Sequence, residues 1–191
     1  GISLIYLYTG TLFLNELSFL INFDDLNLSS IIGIYLIITS IFLKLGIFPL
    51  HSWIADVYQG SLLIVLTFIA LLPKIVYTIL FLKLYIEFNP LVQNYCLILS
   101  GVSVIYGSLI SLYQTSFKRL LAYGSMVHLG LIIFSISLYT PQTVTAGIFY
   151  LFSYIILMLF IFSFMRRRFI IYFLYQNNRK LILLQMRMII N

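Results

Sequence analysis

Stretches near residues 31–49, 62–86, 91–113, 120–139 and 144–165 are each close to the length that a helix needs to cross a hydrocarbon core of about 30 Å. All five are predominantly apolar. The chain is 62% hydrophobic and only 8% charged, with a mean hydropathy of +1.10. A water-soluble domain carries about 25% charged residues, so the bilayer must act as solvent here. The runs do not alternate polar and apolar positions, which excludes a β-barrel. The expected fold is all-α, a polytopic transmembrane helix bundle. An apolar piece from residue 2 to about 13 is too short to cross alone. The bundle, residues 1–165, therefore counts about five full spans plus a partial N-terminal one. A polar stretch over 15–30 carries Glu16, Asp24 and Asp25. Shorter connectors are expected at 51–60, 87–90, 114–118 and 140–143.

Charge orients the spans. Up to Met165 the cations Lys44, Lys74, Lys83, Lys118 and Arg119 balance the anions Glu16, Asp24, Asp25, Asp56 and Glu87. The excess lies in a tail, residues 166–191, with Arg166, Arg167, Arg168, Arg179, Lys180 and Arg187. Alternating loops put His51, Asp56, Lys118, Arg119 and Arg166–Arg168 on one face, which the positive-inside rule places on the cytoplasmic or matrix side. Arg166, Arg167 and Arg168 read as an anchor on anionic lipid, such as cardiolipin, rather than a nucleic-acid patch. Beyond them an apolar run is expected to break at 176–178 and continue as a basic, partly amphipathic interfacial segment. Lys83 and Glu87, four apart, suit a surface ion pair. One cysteine, Cys96, excludes an internal disulfide. The start carries no basic n-region and no small-residue cleavage site. Gly1 instead opens inside an apolar run, which suits a piece of a larger design.

Lysines inside apolar spans are the sharpest signal, because an intramembrane charge costs roughly 2.5–3.5 kcal/mol on insertion scales. Lys74 lies about 12 residues from either end of its span, so snorkelling would need about 18 Å at 1.5 Å per residue. It must face protein or internal water. Pro73, beside it, cannot donate to the carbonyl of Ile69, so a broken helix at Pro73-Lys74 is expected. Lys44 lies about 8 Å inside its helix end and alone could snorkel. At about 9 Å from Lys74 it would add ~1.8 kcal/mol of repulsion at an effective dielectric of 20. One proton could then displace another along a water-joined relay. His128, near the middle of its span, can accept on one ring nitrogen and donate on the other. It is either an extension of that relay or a satisfied hydrogen-bond partner. His51 and Asp56, in the connector between the lysine spans, could gate the access of protons. Trp53 and Tyr58 there suit an aromatic interface belt. Neither a metal-ligand cluster, nor a phosphate-cradling loop, nor a nucleophile–base signature is present.

Three motifs carry a family resemblance. Leu43-Lys44-Leu45-Gly46-Ile47-Phe48-Pro49-Leu50-His51-Ser52-Trp53 leads into Asp56-Val57-Tyr58-Gln59-Gly60, and Pro73-Lys74-Ile75 follows. Lys118-Arg119-Leu120-Leu121-Ala122-Tyr123-Gly124-Ser125-Met126-Val127-His128-Leu129-Gly130 is the third. Over residues 1–165 the chain resembles the NADH dehydrogenase subunit 2 family, antiporter-like membrane subunits of respiratory complex I. The resemblance implies an antiporter-like fold fragment, helices six (in part) to eleven of fourteen. It implies proton translocation along a hydrophilic axis, with Lys44, Lys74 and His128 at its positions. Quinone reduction would drive it from partner subunits holding NADH, FMN, iron–sulfur clusters and ubiquinone, with no redox cofactor in this chain. It implies other membrane-arm subunits as partners.

The chain departs from the family in places. The family's Ala-Pro-x-Pro element reads Ser61-Leu62-Leu63-Ile64 here, and Leu50 stands for a phenylalanine. The family's acid opposite Lys44 and its exit lysine have no counterpart, which leads to the expectation of a second polypeptide completing a split subunit. Scarce Ala and Gly beside abundant Ile, Leu, Phe, Tyr and Asn suit an AT-rich genome, as in many mitochondria, and point to the mitochondrial inner membrane, with a bacterial inner membrane as the alternative. A stand-alone cation/proton antiporter shares the lysine motifs but matches the Asp56–Gly60 element less well. A non-pumping structural subunit would have no use for Lys44, Lys74 and His128 at membrane depth.

Overall fold

A computed structural model describes residues 1–10, 12–13, 16–17 and 28–190, with side chains for all of these except 8, 90 and 169–190. Most of the polar stretch expected over 15–30, including Asp24 and Asp25, lies outside the described residues. The helices are α1 (Ile2–Thr9) and α2 (Leu28–Leu45), a short α3 (Ser52–Gly60), then α4 (Leu63–Asn89), α5 (Leu91–Leu112), α6 (Phe117–Ser137) and α7 (Pro141–Ile190). Five of the described helices are long and apolar enough to cross a membrane: α2, α4, α5, α6 and Pro141–Arg168 of α7. The chain is thus a multi-pass, all-helical membrane protein. Two compact units divide between Tyr154 and Ile155. In the second, helical conformation runs on through 176–178, where a break was expected.

Helical conformation is also continuous from Leu63 to Leu112, through both prolines. The chain nonetheless reverses between α4 and α5. Lys118 Nζ lies 2.7 Å from the Ser61 carbonyl, just before α4, while Gly107 of α5 packs on Val127 and the Tyr123 carbonyl of α6. In a straight helix residues 63 and 107 would stand about 66 Å apart, yet both lie beside the first turns of α6. Pro90 suits that reversal, since proline is tolerated in the first turn of a new helix. The Tyr35 hydroxyl of α2 donates to the Leu91 carbonyl at 2.7 Å. The break expected at Pro73-Lys74 is not an unwound segment. It is confined to the one hydrogen bond that proline cannot make.

The face that α4 turns inward follows from spacing. Leu66, Ala70, Lys74, Thr78, Phe81 and Tyr85 recur every three or four residues, and all are buried. Ile64, Phe68, Leu72, Val76 and Ile79 are half or more exposed on the other side, the surface a lipid tail would cover. Lys74 therefore sits on the protein-facing stripe. Phe42 of α2 packs on Phe81 (5.6 Å between ring centroids) and on Tyr95 (6.3 Å). The Tyr85 hydroxyl donates to the Ser137 carbonyl at 2.8 Å, joining α4 to α6. Small residues let α5 and α6 approach: a Cβ on Gly130 would run into Ser103 and Val104.

The turn out of α2 decides where α3 goes. Gly46 has φ +75°. Its N–H reaches the Leu43 carbonyl (3.2 Å) and the Ile47 N–H reaches the Phe42 carbonyl (3.0 Å), the two bonds of a Schellman cap. Ile54 of α3 packs against the bare Cα. Trp53 Nε1 donates to the Leu43 carbonyl at 3.0 Å, tying α3 back to α2. Gly46→Ala combines a left-handed conformation costing ~1–2 kcal/mol with a collision against Ile54. It should lower the thermal midpoint of the solubilised protein by several degrees. Gly101→Ala, with nothing within 4 Å of its Cβ position, should leave that midpoint unchanged or raise it.

Candidate functional site

Lys74 is 6% exposed. Its Nζ donates to the Tyr58 hydroxyl of α3 at 2.9 Å and to the Tyr154 hydroxyl of α7 at 3.1 Å. Three helices thus converge on one amine. The nitrogen is 5.4 and 5.6 Å from the two ring centroids. Those values nearly equal ring radius, C–O bond and hydrogen bond laid end to end. The amine therefore lies out along the hydroxyls rather than over the ring faces, and hydrogen bonding, not a cation–π contact, holds it. One turn on, Thr78 Oγ1 donates to the Lys74 carbonyl at 2.7 Å. Among the described residues no carboxylate reaches Lys74; the ion pair there is Arg119–Asp56.

His128 stands next in line. Its ring packs on Tyr154 at 5.3 Å between centroids, and its Nδ1 is 2.7 Å from the Tyr150 hydroxyl. Tyr150 and Tyr154 are four apart on α7, so both hydroxyl-bearing rings share one helix face. The cluster is Tyr58, Lys74, Tyr154, His128 and Tyr150. Every member can donate a proton, and all but a protonated amine or imidazolium can accept one.

Lys44 is not part of it. The expected neighbour of Lys74 is exposed instead, on an open groove of about 570 Å³ that also includes Gly1, Ser3, Ser40 and Tyr77. The reason is azimuthal. Phe42 and Leu45 carry the buried face of α2 at this depth, and Lys44 projects from another side. Its charge is therefore not part of the Lys74 hydrogen-bond network.

Asp56 and His51 also part company. Asp56 pairs with Arg119 at 3.2 Å, but with side chains 78% and 42% exposed the bridge contributes only ~0.2–1 kcal/mol. Asp56, Lys118 and Arg119 do share one end of the bundle, as the charge pattern predicts. Lys83 and Glu87 form no ion pair with each other among the described residues. His51 stacks on Phe48 (5.7 Å) and meets Tyr106 (4.7 Å) and Tyr123 (6.4 Å). Its Nδ1 is buried without a hydrogen-bond partner among the described residues. Arg166, Arg167 and Arg168 are exposed on α7, the last with its guanidinium 5.3 Å from the Phe164 ring centroid. No group of three or more His, Cys, Asp or Glu that could hold a metal comes together among the described residues.

Sequence reasoning placed Tyr58 in an interface belt and passed over Tyr150 and Tyr154. The one signal for the latter was their spacing of four. Hydrophobic surroundings lower His51 below its ordinary value of 6.5. The unfolded chain then binds that proton more readily, so stability present above pH ~6.5 is lost as the pH falls through the folded value. Thermal midpoints at about pH 7.5 and 5.5 should differ more in the wild type than in His51→Gln. Equal differences would show that His51 is not so depressed.

Two solved structures are similar to this chain in fold. One belongs to the membrane-bound sulfane sulfur reductase, an archaeal respiratory membrane complex (TM-score 0.73, 27% identity, 85% of this chain and 34% of that one). The Mrp complex of Dietzia sp. DQ12-45-1b gives TM-score 0.73 at 22% identity over 82% of this chain and 29% of that one, a likeness of fold. In sequence, NADH-quinone oxidoreductase subunit N of Wolbachia (Brugia malayi, strain TRS) is 33% identical over 86% of this chain and 36% of its own length. Subunit N of Rickettsia felis is 35% identical over 81% of this chain and 35% of its own. The chain spans about a third of the length of the curated relatives it matches. Residues 1–188 match the family described as NADH:quinone oxidoreductase/Mrp antiporter, transmembrane, and to that family this chain belongs.

Proposed function

We propose that this chain is a proton-translocating part of the membrane arm of respiratory complex I, the NADH:ubiquinone oxidoreductase. The observation that carries the reading is Lys74, a nearly buried amine at mid-span depth whose hydrogen-bond partners are hydroxyls rather than a carboxylate. A carboxylate partner would hold the ammonium in place. A phenol can take a proton from nitrogen as it passes its own on, so the site is suited to exchange. Tyr154 receives from Lys74. His128 of α6 packs beside it, Tyr150 stands one turn away on α7 within reach of the His128 ring, and a bridging water completes the path. His51 and Asp56, at the loop end, control access to it.

The driving redox steps belong to partner subunits that hold NADH, FMN, iron–sulfur clusters and ubiquinone. Lys44 serves the path from its open groove, opposite an acid supplied by a second polypeptide. Arg166, Arg167 and Arg168 anchor the chain on anionic lipid such as cardiolipin, and the membrane is the mitochondrial inner membrane, as the AT-rich composition supports. The subunit N relatives, at 33–35% identity, favour this over a stand-alone cation/proton antiporter.

Lys74→Met in the assembled complex should reduce the proton-to-electron ratio while assembly survives. An unchanged ratio in fully assembled Lys74→Met complex would instead assign the chain a structural role.

A further inference from the structure

The last turn of α3 leaves carbonyls without helical partners. Their bonds can be followed one by one. The Val57 carbonyl accepts the Ser61 N–H at 3.1 Å, and the Tyr58 carbonyl accepts Ser61 Oγ at 3.5 Å. The Gln59 and Ser61 carbonyls both accept Lys118 Nζ, at 3.5 and 2.7 Å. A cation at a helix C-terminus is additionally favoured by the aligned peptide dipoles. Lys118 sits in the first turn of α6, so this one side chain fastens the end of α3 to α6.

Tyr58 lies inside the turn so fastened. It is 1% exposed, and its hydroxyl is one of the two partners of Lys74. The neighbouring Arg119–Asp56 pair is too exposed to fix the turn by itself. We propose that Lys118 is a positioning residue for the Lys74 site: by holding the last carbonyls of α3 it sets where the Tyr58 hydroxyl stands. The inference rests on the reading of Lys74 as the exchanging group, and it gives the Lys118-Arg119 pair a task beyond orienting the chain in the membrane.

A four-way comparison in the assembled complex tests it: wild type, Lys118→Met, Tyr58→Phe and the double variant, each read for proton-to-electron ratio and assembled amount. Lys118→Met should lower proton translocation by about ten-fold, within the ~100-fold that a 1 Å misplacement can cost. It should add nothing once the Tyr58 hydroxyl is gone. Lys118→Arg, whose guanidinium can still donate to both carbonyls, should restore most of the loss. If Lys118→Met does not assemble, Lys118→Gln takes its place in the cycle.

Equal losses with and without the Tyr58 hydroxyl would overturn the inference, as would a Lys118→Met complex pumping normally while Tyr58→Phe is impaired. Tyr58→Phe pumping at the wild-type ratio would likewise overturn it, whereas the reading of Lys74 itself falls only if Lys74→Met leaves the ratio unchanged.

Discussion

A single buried amine organises this molecule. Placing an ion in the apolar interior costs several kcal/mol even after relaxation, and only close, well-directed hydrogen bonds offset that. Lys74 obtains them from Tyr58 on α3 and Tyr154 on α7, so both helices must reach the protein-facing stripe of α4 at the depth of residue 74. The Gly46 cap that turns the chain after α2, the bond from Trp53 to Leu43, and the grip of Lys118 on the end of α3 each constrain where α3 lies. The arrangement of the first unit can be read outward from that one site.

The two membrane lysines have different environments, and the difference bears on mechanism. Lys74 is enclosed and doubly bonded. Lys44 is exposed on an open groove. Among the described residues Lys44 is therefore not a hydrogen-bond partner of Lys74. The groups in immediate reach of Lys74 are phenols, with His128 beyond them on the same side as Tyr150 and Tyr154. In the proposed account the hydroxyls are the exchange partners, and Lys44 joins the path only through what fills its groove.

Much of the fold was legible because hydropathy and length report directly on spanning helices, and the five spans fall within a few residues of their expected places. The burial of Lys74 was legible too, since no side chain could reach the surface from that depth. The positive face of the bundle end came from counting charges, and Asp56 with Lys118 and Arg119 do share that end. What hydropathy does not carry is azimuth and partner choice. Nothing local says that Lys44 projects away from the inward face of α2. Nor could local spacing reveal that Lys74 would find a hydroxyl 80 residues onward. The proline at 73 signalled a break that the helix absorbs without unwinding, and the polar residues at 176–178 did not interrupt α7. At Pro73, inside a span, a local propensity was outweighed by the need to satisfy backbone groups within the helix.

The central claim is that Lys74 changes its protonation during turnover. Isotope-edited infrared difference spectroscopy on the assembled complex, with lysine side chains deuterated, follows that change at the group itself. The account predicts an ammonium difference band that appears on energisation and disappears in Lys74→Met. A lysine spectrum unaltered between resting and turning-over complex, in preparations that pump normally, would contradict it.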